Sequence, residues 1–228
     1  MKNERFHILS TKILDEALVD LVSDRVQLDS IPFIETYAVP PAEIAQQLAA
    51  VPIKNGLAIF TSVNAVNAVA AAGMLQPGWS IACIEPTTKK RMQEAFPQSA
   101  IVATAPTAAA LAEQIVRIAP ENCIFFCGNK RLGIIPSALK KKGIPYREIM
   151  VYNTIKTPQV INKEYDGIIF YSPSGVESFF ELNKIPATVK AYSIGPSTTK
   201  ALQQYTENIV QSKVPDTKQM IAWISNSI

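Results

Sequence analysis

The chain has 228 residues, of which 48% are hydrophobic and 18% charged, and its net charge is +3. Apolar content of this order builds an ordinary core, and the length suits one large domain or two of about 110 residues. The charge balance argues against duplex nucleic acid. Basic residues are scattered apart from Lys89-Lys90-Arg91 and Lys140-Lys141-Lys142, and no aromatic ladder accompanies them.

In chain order, Met1 to Thr11 alternates polar and apolar residues and never forms the long apolar stretch that secretion requires. No later run is long enough to span a bilayer, so a cytoplasmic protein without membrane association is expected. Phe6–Ser10 reads as a strand and contains His7, the single histidine. Because this lone histidine sits inside the first apolar stretch, a histidine-rich metal site and a Ser-His-Asp triad both lack material, and a structural role is expected for it. Leu14, Leu18, Leu21 and Val22 recur at helical spacing, and Ile31–Thr36 is extended and β-prone. Strands follow at Leu57–Thr61, Ser80–Ile84 and Ala100–Ala103, and Leu111, Ile115 and Ile118 predict a helix with one apolar face. The next strand, Ile124–Cys127, lies beside Cys123. The three cysteines, Cys83, Cys123 and Cys127, sit in apolar runs, where buried reduced thiols are expected rather than disulfides or ligands. Lys140 to Lys142 before Gly143 reads as a helix end, with cations in the last turn and then a glycine for the left-handed cap. Beyond the extended segment Glu148–Asn153, strands are predicted at Gly167–Tyr171, Val189–Ile194 and Asn208–Gln211. Strands alternating with helices indicate an α/β protein with doubly wound parallel sheets.

The chain also carries itself twice. Phe60-Thr61-Ser62 returns as Phe170-Tyr171-Ser172, Ile84, Pro86 and Thr88 return as Ile194, Pro196 and Thr198, and Thr107 returns as Thr217, all 110 residues apart. A fainter repeat at a spacing of 118 relates Phe6–Ser10 to Ile124–Gly128, Lys12 to Lys130, Leu21 to Leu139 and Ile31 to Ile149. Two similar domains follow from this. The first is discontinuous, residues 1–35 and 152–228, and the second is continuous, residues 36–151. The chain must then cross twice, and the extended segments at the two junctions supply a two-stranded connector. Such a pair is expected to act as a hinge about an inter-domain cleft, the natural place for a ligand.

Ligands of open parallel sheets bind beyond the carboxyl ends of the strands. The repeated motifs fall there: Thr61-Ser62-Val63-Asn64, Pro86-Thr87-Thr88, Tyr171-Ser172-Pro173-Ser174-Gly175 and Gly195-Pro196-Ser197-Thr198. Unpaired amides at helix starts attract carboxylate or phosphate, and four such starts suggest a polyanion. Serine and threonine are also ordinary helix caps that require no ligand, and a duplicated fold duplicates its caps. Neither a phosphate loop nor a dinucleotide fingerprint occurs, so nucleotide cofactors are disfavoured. Between Glu35 and Val151, 11 Lys and Arg stand against 7 Asp and Glu, a weak bias towards an anionic ligand.

At these residues the sequence resembles the uroporphyrinogen-III synthase family along nearly its whole length. The similarity rests on Phe60-Thr61-Ser62 with Ala65-Val66, on Val151-Tyr152-Asn153-Thr154, on Ser172-Pro173-Ser174-Gly175-Val176, and on Ile194-Gly195-Pro196-Ser197-Thr198 with Ala201-Leu202. The resemblance implies two α/β domains and a cofactor-independent lyase. Its substrate is the linear tetrapyrrole hydroxymethylbilane, cyclised with inversion of the terminal pyrrole ring. It implies that Tyr152 helps the terminal hydroxyl depart, although a strand tyrosine also serves simply to pack. Ser62, Thr88, Ser172, Ser174, Ser197 and Thr198 correspond to positions around the substrate carboxylates. Lys12 stands where the family commonly has arginine, and Glu85 where it often has glycine. Neither cofactor nor metal is implied, and a monomer is expected. A second reading is a hinged, non-catalytic binding protein or sensor for a small polyanion.

Overall fold

The computed structural model describes residues 5–49, 56–75 and 78–227. Of the N-terminal segment read above, Met1 to Glu4 lie outside the described residues. The chain opens with strand β1 (Phe6–Ser10), a short helix α1 (Glu16–Val19), β2 (Val26–Ser30), β3 (Ile34–Ala38) and α2 (Pro41–Ala49). It continues through β4 (Leu57–Phe60), α3 (Val63–Ala72), β5 (Ser80–Ile84), α4 (Thr87–Ala95), β6 (Ile101–Ala105) and α5 (Ala108–Ile118). Next come β7 (Cys123–Gly128), α6 (Ile134–Lys141), β8 (Tyr146–Lys156), β9 (Gly167–Phe170) and α7 (Pro173–Leu182). The last elements are β10 (Lys190–Ser193), α8 (Pro196–Leu202), β11 (Ile209–Gln211) and α9 (Thr217–Asn226).

Contacts divide the chain into one unit of residues 1–35 and 155–228 and another of residues 36–154. The chain passes between them within β3 and within β8. Tyr152 to Thr154 therefore belong with the continuous unit, whereas the sequence places the boundary before Tyr152. The reason is local: the Asn129 side chain bonds Thr154 through both its N–H and its C=O, at 2.8 and 3.1 Å, which ties the end of β8 to the loop after β7.

The discontinuous unit is built on a sheet of order β11-β10-β9-β1-β2, with every neighbouring pair parallel. Its two faces carry separate cores. Leu9, Phe170 and Ala191 pack on one side with Val176 and Phe179 of α7, while Ile8, Ile169 and Tyr192 pack on the other with Met220, Ile221 and Ile224 of α9. The continuous unit has a sheet of order β3-β8-β7-β4-β5-β6, parallel from β8 through β6. Alternation again splits its strands between two cores: Ala58, Phe60 and Phe126 meet α3 and α4, and Leu57, Ile59 and Phe125 meet α5 and α6. Every residue of β4 is buried, as a strand covered on both faces requires. Each such aromatic or branched side chain contributes about 1.5–3 kcal/mol.

Three predicted elements need correction. The Leu14 to Val22 stretch forms only one helical turn. Asp15 makes no side-chain cap, and beyond α1 the Val22 N–H donates back three residues to Val19 at 3.0 Å, the tighter winding that ends helices. Leu14 is buried, but Leu21 is 36% exposed. In α5, Leu111 and Ile115 are buried as expected while Ile118 is 44% exposed, because the helix ends on it at the left-handed Ala119 and no further turn covers it. The extended segment Ile31–Thr36 enters the sheet later than expected, at Ile34, because Pro32 offers no N–H to a ladder and Phe33 turns its ring into the core of the discontinuous unit.

Candidate active site

Ser62 and Ser172 occupy equivalent places in the two units. Each follows a buried strand of four residues, each has extended backbone (φ −148° and −159°), and each hydroxyl accepts the backbone N–H three residues on. That N–H is Ala65's at 3.2 Å in α3 and Gly175's at 3.1 Å in α7. Both are therefore helix caps at the carboxyl end of their strand, and α7 differs in opening with Pro173, which has no N–H to present. Ser174 is half-buried within the first turn of α7.

The second pair of loops is built differently. Thr88 near the start of α4 and Thr198 near the start of α8 are buried, 5% and 1% exposed, so neither side chain is presented to solvent, whereas Thr87 is exposed. Ser197 is exposed. At Glu85, the carboxylate is bonded to the Lys89 ammonium one turn along at 3.1 Å, and this pairing holds it below the usual carboxylate range with help from Thr104. The acid is thus neutralised within its own loop, whereas Gly195 at the repeated position has no side chain to place.

Lys12 leaves the end of β1. Its ammonium donates to the Thr217 hydroxyl at 3.0 Å and lies 4.3 Å from the centre of the Tyr171 ring, a cation–π distance. Burial lowers its pKa, opposed by the nearby Asp15 and Asp216 carboxylates. Tyr171 in turn accepts a hydrogen bond from Ser10 at 3.2 Å, and burial pushes its phenol up to about 12. The sequence names Lys12 but not its aromatic support; the signal available was only that Tyr171 replaces, in the repeat, the smaller Thr61.

Tyr152 lies in β8, partly buried against the core that contains Phe60, Phe126 and Val151. Burial raises its phenol pKa, while the neighbouring Ser62 hydroxyl pulls it the other way. The phenol is therefore a protonated group at neutral pH, set beside the cap of α3. Gly128 and Asn129, at the end of β7, frame this tyrosine and are not evident from the residue types alone. The clue was a glycine closing an otherwise apolar strand, which marks a close approach of another group.

Cys83 and Cys127 are buried with thiols pushed up to about 11, and Cys123 to about 12, all chiefly by burial, so none is a ready nucleophile. Among the described residues no cluster of His, Cys, Asp and Glu could hold a metal ion, and no helix is long and apolar enough to cross a membrane. An open cavity of about 860 Å³ lies in the discontinuous unit among Phe6, His7, Asp166, Thr188 and Lys190, at the amino ends of its strands and away from the helix starts above.

The family model described as Uroporphyrinogen-III synthase HemD matches residues 25–222. The chain belongs to the uroporphyrinogen-III synthase family. Over 131 residues it is 28% identical to the uroporphyrinogen-III synthase of Saccharomyces cerevisiae, a match covering 49% of this chain and 47% of that protein. The chain thus aligns with about half the length of that curated relative. Among solved structures, a mutant uroporphyrinogen III synthase from the extremely thermophilic bacterium Thermus thermophilus superposes with a TM-score of 0.69 at 18% identity, covering 97% of this chain and 98% of that one. The uroporphyrinogen-III synthetase of Helicobacter pylori gives 0.68 at 17% identity, covering 97% and 99%. At these identities the structures establish a shared fold, the mixed α/β architecture of the uroporphyrinogen-III synthases.

Proposed function

We propose that this chain is a cofactor-independent cyclising lyase that converts hydroxymethylbilane into uroporphyrinogen III and water. The observation that supports this most directly is the pair of equivalent caps, Ser62 and Ser172. Each opens a helix at the carboxyl end of a parallel strand, a place suited to a carboxylate, with one amide fewer in α7 because Pro173 stands at its first position. Ser174, Ser197 and the backbone beside Thr88 and Thr198 extend these sites. Lys12 adds a cation whose ammonium is already oriented by Thr217 and Tyr171. A net charge of +3 is small against an octacarboxylate, so orientation falls chiefly to helix termini.

In this reading the Tyr152 phenol donates a proton or hydrogen bond to the departing hydroxyl. That departure leaves an azafulvene, and the substituted carbon of the terminal ring attacks it to form a spiro intermediate, which rearranges to the inverted macrocycle. The free substrate closes readily to the other isomer. The protein therefore supplies orientation more than functional-group chemistry, and hydroxyls and amides suffice. The protein is cytoplasmic and monomeric in this proposal.

The deciding experiment couples porphobilinogen deaminase, as the source of hydroxymethylbilane, to this protein and separates the oxidised products. Predominantly type III uroporphyrin is expected. Type I alone, from protein shown to be folded by circular dichroism, would overturn the proposal in favour of a polyanion-binding protein.

A further inference from the structure

Tyr152 breaks the alternation of its own strand. Neighbouring side chains of a regular strand point to opposite faces, yet Val151 and Tyr152 pack into the same apolar cluster, along with Ile149. The cause is a register shift between β8 and β7. Cys127 stands opposite Met150 but Gly128 stands opposite Tyr152, which leaves Val151 without a partner in the ladder. Such a bulge bends the strand and re-aims the side chain that follows it.

The re-aimed ring lands on Gly128. A Cβ there would lie 2.9 Å from Tyr152 Cδ2 and closer still to Cε2 and Cζ, and these three ring atoms are its nearest neighbours. Gly128 does not have a left-handed backbone, so space rather than conformational freedom is what the glycine supplies. The next residue secures the other side of the bulge. The Asn129 backbone N–H donates to the Tyr152 carbonyl at 3.4 Å. Its side-chain Oδ1 accepts from the Thr154 N–H at 2.8 Å, and its Nδ2 donates to the Thr154 carbonyl at 3.1 Å. A side chain thus stands in for a ladder strand at the point where β7 has ended.

We propose that Gly128 and Asn129 are positioning residues for Tyr152: Gly128 provides the space in which the phenol ring lies, and Asn129 pins the backbone beyond the bulge, so that the hydroxyl is held beside Ser62 before substrate arrives. This rests on the reading of Tyr152 given above. Its chemical value is preorganisation, since a donor already in its working rotamer loses no freedom when the substrate binds.

The test uses the full chain in the coupled assay together with the ring signals of Tyr152 in protein carrying 13C-labelled tyrosine, assigned with Tyr152→Phe. Gly128→Ala should lower kcat about 10- to 100-fold with KM within about threefold, and should shift the Tyr152 ring signal. In a Tyr152→Ala background the same change should cost no further activity and no further thermal stability, because the added methyl then fills space the ring has left. Should Gly128→Ala alone not fold, Tyr152→Ala is expected to restore its folding, and failure to do so overturns the proposal. Asn129→Ala should move the same signal and lower kcat. Asn129→Asp, which keeps the acceptor for Thr154 and loses the donor, should fall between it and the wild type. An unmoved ring signal, or equal losses with and without the Tyr152 ring, would show that these residues serve the fold alone. If the unaltered protein yields no type III product the synthase reading fails, and the ring signal still decides whether Gly128 and Asn129 place the tyrosine.

Discussion

The two units began from one plan and kept its backbone while changing its side chains. Ser62 and Ser172 differ by only about ten degrees in φ and by 0.1 Å in their capping bonds. One strand further, the likeness ends. The continuous unit places a carboxylate at Glu85, neutralised by Lys89, where the discontinuous unit has Gly195. Thr107 caps α5 through its hydroxyl, whereas its repeat Thr217 has yielded the cap of α9 to Asp216 and receives the Lys12 ammonium instead. One unit thus carries a phenol fitted over Gly128, and the other a lysine seated on the Tyr171 ring. Backbone capping is readily kept through a duplication because it depends on local geometry, while the groups around it are free to diverge into separate roles.

That division of labour can be broken in a definite order. Tyr152→Phe should produce the largest change, a fall in kcat of about 100-fold, the usual scale for a positioned proton donor, with an unchanged circular dichroism spectrum. An unaltered rate would remove the phenol from the chemistry and leave the continuous unit only its helix starts at Ser62 and Thr88 as a contribution to the site. Lys12→Met keeps the length and removes the charge. It should raise KM about 10-fold at low salt with less effect as salt is added, measured by initial rates at several ionic strengths. Next, Ser62→Ala and Ser172→Ala should each lower stability by about 1 kcal/mol in denaturant titrations, and by nearly equal amounts if the two caps are as alike as their geometry. A loss confined to one of them would show that the likeness is only geometric.

Smaller effects separate the units further. Tyr171 has a folded pKa of about 12 against about 10 for an unfolded tyrosine, so the folded state holds the proton more tightly. Its contribution to stability is complete below about pH 10 and is lost as pH rises through the folded value. Tyr171→Phe should therefore flatten the fall of thermal midpoint between about pH 10 and 12 relative to the unaltered protein. The smallest change is expected from Glu85→Gln, which frees Lys89. KM should fall, by less than about threefold, since an exposed ion pair of this kind is only weakly coupled to its surroundings. A rise would mean that Glu85 contributes to binding directly.

Much of the architecture was legible because it rests on periodic signals. Buried parallel strands such as Leu57-Ala58-Ile59-Phe60 and Gly167-Ile168-Ile169-Phe170 are continuous apolar runs, and the repeat spacing ties each to the serine that caps the next helix. Where a pattern was short or one-sided it misled. The leucines from Leu14 to Val22 recur at helical spacing, but α1 has neither a side-chain cap nor a buried residue and ends after one turn. β2 itself, with only Val26 buried, gave no strand signal of comparable strength.

The amino-acid order alone thus determined the α/β class, the duplication and the helix starts, because each is written in local spacing or in a repeated motif, while Tyr152 and Lys12 entered as candidates through the family resemblance. Only the tertiary structure decided what those two residues touch. The bulge that sets Tyr152 over Gly128, the Asn129 clamp on Thr154 and the seating of Lys12 between Tyr171 and Thr217 join residues separated by 24, 25, 159 and 205 positions. Such contacts follow from strand register and from how segments distant in sequence pack, and no local periodicity encodes either.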